Sequence, residues 1–271
     1  MRPFHFFAYS TFAPLALSVS SFNKQTHRHI NAESLRTPSS RYVIHSTGGE
    51  INAQHIKSLL SDDESSVECI IVDNFCKVSQ LTDSIDYSYL KDLSSTEQGS
   101  DIRNDRVMWI SNNNNKDLFL LNERKALSGL ADIFSIENLV LKPPSKVQLS
   151  CYDKHSKYVP HRDNIPRQRL NIDDNYNWIS QPEQLHRYLT CILYLTPTDW
   201  NISCDGGALR CFFGCNDFDD IGETSKEVFD IEPKTGRLVV FRSDKILHEV
   251  RPTQRSGRIA LTAWIVKSGN F

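Results

Sequence analysis

No segment after residue 19 approaches the roughly 18 consecutive apolar residues of a membrane-spanning helix, so stable membrane insertion is not expected once the N-terminal segment is removed. Excess charge of either sign is also lacking. Lys and Arg number 31 against 33 Asp and Glu, for a formal net charge of −2, and no basic stripe offers nucleic acid a footprint. Paired cysteine spacing is absent as well. The seven cysteines stand scattered at 69, 76, 151, 191, 204, 211 and 215, an odd number that argues against a disulfide framework and for reduced thiols. Cys211-Phe212-Phe213-Gly214-Cys215 has no second ligand pair and reads as strand-end packing rather than a zinc site. Internal repeats are missing. What remains, 39% hydrophobic and 10% aromatic residues in 271, is enough for one sizeable core and unlike a disordered chain.

Local patterning divides the chain into four parts. Residues 1–21 read as a signal or targeting segment, and residues 22–49 as a transit-like or linker segment. Residues 50–145 read as N-terminal helical support with short strands, and residues 146–271 as the core. Helical spacing is expected over 52–60, over 78–90, and along Leu120, Leu127, Leu130 and Phe134; strands are expected over 68–72 and around Val107. From Lys146 onward strand patterns follow one another with no strong helix. Helices first and then a run of strands predict a mainly β fold, a double-stranded β-helix or jelly-roll core braced by N-terminal helices.

Four residues within that core carry chemistry. His161 and Asp163 stand in Tyr158-Val159-Pro160-His161-Arg162-Asp163, and His248 stands in Asp244-Lys245-Ile246-Leu247-His248-Glu249-Val250. On a strand, residues i and i+2 share a face, so His161 and Asp163 present an imidazole and a carboxylate together. A third ligand from a distant strand makes a 2-His-1-carboxylate facial triad, which suits Fe(II) because it leaves positions open for a co-substrate and O2. Arg258 opens the strand pattern 258–266. Alternation there puts Arg258, Ala260, Thr262 and Trp264 on one face and Ile259, Leu261, Ala263 and Ile265 on the other. A guanidinium on that face suits the far carboxylate of a dicarboxylate co-substrate. Together the four imply a dioxygenase dependent on Fe(II) and 2-oxoglutarate. Alternation in the run from Tyr188 places Thr190, Ile192 and Tyr194 with Tyr188 on one face.

Residues 103–266 resemble the prolyl-4-hydroxylase group of 2-oxoglutarate oxygenases, and in particular the prolyl hydroxylases that act as oxygen sensors on hypoxia-inducible factor. The resemblance rests on Arg103-Asn104-Asp105-Arg106-Val107-Met108-Trp109-Ile110, on Cys151-Tyr152, and on Tyr188-Leu189-Thr190-Cys191-Ile192-Leu193-Tyr194-Leu195 with Asp199-Trp200. Gly206-Gly207-Ala208-Leu209-Arg210, Asp230-Ile231-Glu232-Pro233-Lys234, Ser243-Asp244 and His248-Glu249-Val250 extend it. It implies that His161, Asp163 and His248 hold iron and that Arg258 anchors the C5-carboxylate of 2-oxoglutarate, with a hydrogen bond from Tyr194. It implies further that Tyr152 flanks the co-substrate, that Thr190, Ile192 and Leu209 line its pocket, and that the Arg-x-Ala-x-Thr-x-Trp register adds Thr262 and Trp264. The implied reaction couples decarboxylation of 2-oxoglutarate to succinate with hydroxylation of a prolyl residue in a protein or peptide, using O2 and aided by L-ascorbate.

The sequence departs from the sensors in three places. The segment from Asp163 to Tyr188 is longer and polar, the region before Arg103 is compressed, and the interval from His248 to the anchor is one residue longer. Arg255 therefore competes with Arg258 as the anchor. A non-prolyl substrate (a lysyl residue, a small metabolite or a modified base) stays open, as does a non-catalytic jelly-roll binding module.

The N-terminal segment adds an address. An apolar stretch over 4–19 ends in Val19-Ser20-Ser21, small enough for cleavage, and no acidic residue precedes Glu33. A signal peptide followed by Phe22 and a basic, hydroxyl-rich segment resembles the bipartite presequences of secondary plastids, which implies secretory or plastid delivery. Mitochondrial import or a tail on a cytoplasmic enzyme are the alternatives. Asn201-Ile202-Ser203 is a glycosylation sequon if the chain enters the secretory pathway.

Overall fold

The computed structural model describes residues 42–51, 53–61, 67–76, 78, 91–92, 102–111, 141–142, 146–164, 187–214 and 227–267. Ahead of the core lie β1 (Val43–Ser46), β2 (Cys69–Val72), β3 (Lys91–Asp92), β4 (Arg106–Ser111) and β5 (Leu141–Lys142). The core strands are β6 (Lys146–Tyr152), β7 (Tyr158–His161), β8 (Arg187–Tyr194), β9 (Leu209–Phe213), β10 (Glu227–Ile231), β11 (Leu238–Arg242), β12 (Leu247–Val250) and β13 (Arg258–Lys267). The larger sheet runs β1-β2-β11-β8-β13-β6-β4-β3, with β5 paired to the end of β13; the smaller runs β10-β9-β12-β7.

Side-chain alternation sorts these strands into two cores. Ile70 and Val72 on β2, Leu238 and Val240 on β11, and Leu261, Ala263 and Ile265 on β13 all point away from the smaller sheet. The helix Ala53–Leu60 covers them, inserting Ile56 and Leu59, which are three residues apart and share one helical face. The alternate residues Cys69, Ile71, Val239, Phe241 and Tyr194 face inward and meet Leu209, Cys211, Phe213, Ile231 and Val250 of the smaller sheet. That sandwich is the jelly-roll core. Tyr188 departs from the expected parity: it packs against the outer cluster, with the Arg242 guanidinium over its ring at 4.3 Å.

Two readings change. Residues 43–46, within the segment read as transit-like or linker, form β1, which pairs in parallel with β2. The strands ahead of residue 146 do not stand apart as support, because β2 pairs with β11 and β4 pairs with β6 in the same sheet as the core. Apart from Val78, the expected helices over 78–90 and 120–134 and the targeting segment lie outside the described residues. No described helix is long and apolar enough to cross a membrane. The described cysteines, 69, 76, 151, 191, 204 and 211, are all free; Cys215 lies outside the described residues. Asn201 of the sequon is already in use as a cap, its side chain accepting from the Ser203 amide at the helical turn Ile202–Asp205.

Candidate metal and co-substrate site

His161 closes β7 and His248 lies on β12, directly opposite it in the antiparallel register. Facing positions on paired strands bring side chains together, and the two ring centroids lie 4.2 Å apart. Each imidazole is fixed by the carbonyl two residues before it: His161 Nδ1 lies 2.8 Å from the Val159 carbonyl oxygen and His248 Nδ1 lies 3.2 Å from that of Ile246. A carbonyl only accepts, so each Nδ1 carries the proton and each Nε2 keeps a free lone pair, the tautomer a metal ligand needs. Asp163 is not on the strand, as the H-x-D spacing predicts, but in the bend just after β7. Its carboxylate still reaches both rings, with Oδ1 3.7 Å from His161 Nε2 and Oδ2 3.7 Å from His248 Nε2. The three ligand groups offer atoms all within 4.8 Å of one another.

The environment favours the ligating form of His161 and Asp163. Burial, and then the neighbouring His248, push the His161 imidazolium toward losing its proton. Burial works against an ionised Asp163, but both imidazoles, Arg187 and a hydrogen bond from Thr190 outweigh it and hold the carboxyl below its usual range. Two imidazole nitrogens and one carboxylate oxygen form a donor set that fits Fe(II).

The same cavity holds the expected anchor. Arg258 opens β13 opposite Tyr152 on β6 and is 1% exposed. Its Nε donates to the Gly207 carbonyl at 2.6 Å, and its Cζ lies 4.6 Å from the Tyr152 ring centroid and 5.2 Å from that of Tyr194. No carboxylate among the described residues pairs with it. A buried guanidinium without an anion is costly. Beside it the Tyr194 hydroxyl is buried with no hydrogen-bond partner among the described residues. Burial pushes that phenol up to about 12 against the opposing pull of Arg258, so it stays protonated and able to donate. An orphaned donor beside an unpaired buried cation fits the C5-carboxylate of 2-oxoglutarate. The glycine pair shapes this corner: Gly207 has φ +73°, and a Cβ there would meet Arg258 Cδ at 2.8 Å.

Arg255 is engaged elsewhere. It is paired with Asp199 at 3.0 and 3.2 Å and lies over the Trp200 ring at 4.8 Å, outside the cavity. Tyr152, Ile192, Leu209, Thr262 and Trp264 line the cavity as expected. Thr190 does not line it: it is fully buried, its hydroxyl turned to Asp163 at 2.7 Å; Tyr194 is fully buried too, its ring 5.2 Å from the Arg258 guanidinium.

Sequence reasoning missed the mouth of the cavity. Tyr158 stacks on His161 with centroids 3.6 Å apart, and Arg103 lies over Tyr158 at 4.4 Å while forking onto Asp105 at 2.8 and 2.7 Å. Trp109, 41% exposed, meets Trp264 at 5.8 Å, and Arg187 covers Trp264 at 3.8 Å. The Arg-x-Asp spacing at 103–105 was the available signal, because residues i and i+2 in extended chain can pair side by side.

Residues 147–266 match the model of the 2OG-Fe(II) oxygenase superfamily. Over those residues the chain is similar to a 2OG-Fe(II) oxygenase domain. It is 29% identical over 176 residues to Egl nine homolog 1 of Rattus norvegicus, covering 62% of this chain and 43% of that protein. It is 30% identical over 176 residues to Prolyl hydroxylase EGLN3 of Homo sapiens, covering 60% of this chain and 58% of that one. The chain thus spans less than half the length of the rat relative. The domain shares its fold with a Trichoplax adhaerens prolyl hydroxylase solved with a hypoxia-inducible-factor peptide fragment. The TM-score is 0.56 at 21% identity, over 79% of this chain and 90% of that one. A domain of this family uses Fe(II), 2-oxoglutarate and O2, and the candidate ligands for the first two lie here in one cavity.

Proposed function

We propose that this chain is a 2-oxoglutarate-dependent dioxygenase acting as a peptidyl-prolyl 4-hydroxylase. The observation that carries the reading is Arg258: a buried guanidinium with no anion, beside a tyrosine hydroxyl with no partner, among the described residues, in the cavity that also holds His161, Asp163 and His248. His161, Asp163 and His248 would hold iron, which when bound would supply the use of O2 to oxidise 2-oxoglutarate to succinate and CO2, coupled to C–H hydroxylation. The chain's residues do the positioning. Arg258 and Tyr194 grip one end of the co-substrate, and Tyr152, Ile192 and Leu209 exclude water around it. The prolyl assignment is supported by the relatives' names and by the resemblance over 103–266; ascorbate as a reducing aid is supported by that resemblance alone.

Succinate release with and without proline-containing peptides tests it. Peptide-dependent succinate together with one added oxygen on a prolyl residue is expected. Coupled turnover only with lysyl peptides or small molecules would replace the substrate. No succinate under any condition would leave a binding module. Repeating the assay across dissolved O2 bears on oxygen sensing: a rate still rising at ambient O2 is expected of a sensor, and saturation far below it would leave a hydroxylase alone.

We also propose organelle or secretory delivery, supported by the apolar run over 4–19 and the acid-free stretch behind it. Residues 1–48 fused to a fluorescent reporter should direct it into a membrane-bound compartment. A diffuse cytosolic signal would return the enzyme to the cytoplasm.

A further inference from the structure

The three ligand side chains are not held alike. His161 and His248 stand on facing strands of the smaller sheet, so the ladder fixes their backbones, and the carbonyl two residues before each fixes its ring. Asp163 lies past the end of β7, and its chain is tied back by the Asn164 amide to the Ser243 carbonyl at 3.0 Å and by the Asn164 side chain to the Arg187 carbonyl at 2.6 Å. Neither bond orients the carboxylate itself.

Among the described residues, one side chain does. Thr190 sits on β8, between β11 and β13 in the larger sheet, and its hydroxyl reaches Asp163 Oδ2 at 2.7 Å. Behind it the Ser243 hydroxyl lies 2.8 Å from Thr190 Oγ1, and both residues are 0% exposed. The proton inventory settles the direction. An ionised carboxylate only accepts and a threonine hydroxyl has one proton, so Thr190 donates to Asp163 and Ser243 must donate to Thr190. Oδ2 is thereby engaged, while Oδ1, which faces His161 Nε2, has no hydrogen bond among the described residues.

We propose that Thr190, oriented by Ser243, is a positioning residue that fixes the Asp163 carboxylate for the metal from the opposite sheet. This rests on the reading of His161, Asp163 and His248 as metal ligands. Hydrogen bonds that orient a metal's ligands typically contribute about 10- to 100-fold in metal affinity. Thr190→Val keeps the shape and removes the donor, so a loss of that size is expected. Thr190→Ser should recover most of it. Ser243→Ala should shift affinity in the same direction but less, because Thr190 keeps its own proton.

The experiment titrates Co(II) into the full chain and its variants, reading both the dissociation constant and the cobalt visible spectrum. A thermal melt of each variant accompanies it. Weaker Co(II) binding with an altered spectrum in folded Thr190→Val, restored in Thr190→Ser, supports the proposal. Unchanged affinity and spectrum in Thr190→Val, or a Thr190→Ser as impaired as the valine, overturns it. Should the valine variant fail to fold, Ser243→Ala decides: weakened binding supports the relay and unchanged binding overturns it. If the wild-type chain takes up no Co(II), the ligand assignment fails first and this proposal falls with it.

Discussion

Arg258→Ala should weaken 2-oxoglutarate binding by roughly 30-fold to several thousand-fold. Two charge-assisted hydrogen bonds to the C5-carboxylate are lost, and that carboxylate stays buried with only Tyr194 as donor. Truncating one side of such a pair costs about 2–5 kcal/mol, at about 1.4 kcal/mol per tenfold. Arg258→Lys keeps the charge without the planar fork, and the Gly207 carbonyl that holds Nε loses its partner; affinity should fall between wild type and alanine. Iron affinity should hold, since the guanidinium lies against Tyr152 and Tyr194 rather than against the three ligands. Arg255→Ala should leave co-substrate binding nearly unaltered, because its partners are Asp199 and Asp205. Titrating 2-oxoglutarate into the iron-loaded variants without oxygen separates these. Loss in Arg255→Ala with retention in Arg258→Ala would reverse the assignment.

Replacing His161, Asp163 or His248 with alanine should abolish turnover. Each supplies one of three protein ligands, and the remaining pair no longer encloses a metal from three sides. The effect should separate cleanly from that of Arg258: iron uptake is lost first, and 2-oxoglutarate binding only as a consequence. His161→Ala should also unseat Tyr158, whose ring lies parallel to the imidazole at an interplanar angle of 19°. A melting temperature measured alongside iron content distinguishes lost ligation from lost packing. Activity retained in His161→Ala at normal folding would put the metal elsewhere.

Much of this site is legible because the β period is rigid. Once Arg258 is placed on a strand, parity sends Ala260, Thr262 and Trp264 to the same face, and they do line the cavity with it. Parity also gave Thr190 the correct side of β8, but not its role. Whether a hydroxyl faces a cavity or a neighbouring carboxylate depends on where Asp163 lies, and Asp163 is in a bend whose path no local pattern encodes. The same limit explains β1. Val43–Ser46 is four residues long with only two apolar members, and its strand character comes from parallel pairing to β2, a long-range contact. The mouth residues Arg103 and Tyr158 are joined by a bridge between distant segments, which spacing alone does not announce.

The most direct test of the central claim needs no substrate peptide. Fe(II) and then 2-oxoglutarate are added to the full chain in the absence of oxygen, and the visible spectrum is recorded for wild type, His161→Ala and Arg258→Ala. A weak metal-to-ligand charge-transfer band should appear in the wild-type protein, be absent from His161→Ala, and require far more 2-oxoglutarate in Arg258→Ala. No band in the wild-type chain, or an undiminished one in His161→Ala, would contradict the assignment of iron and co-substrate to this cavity.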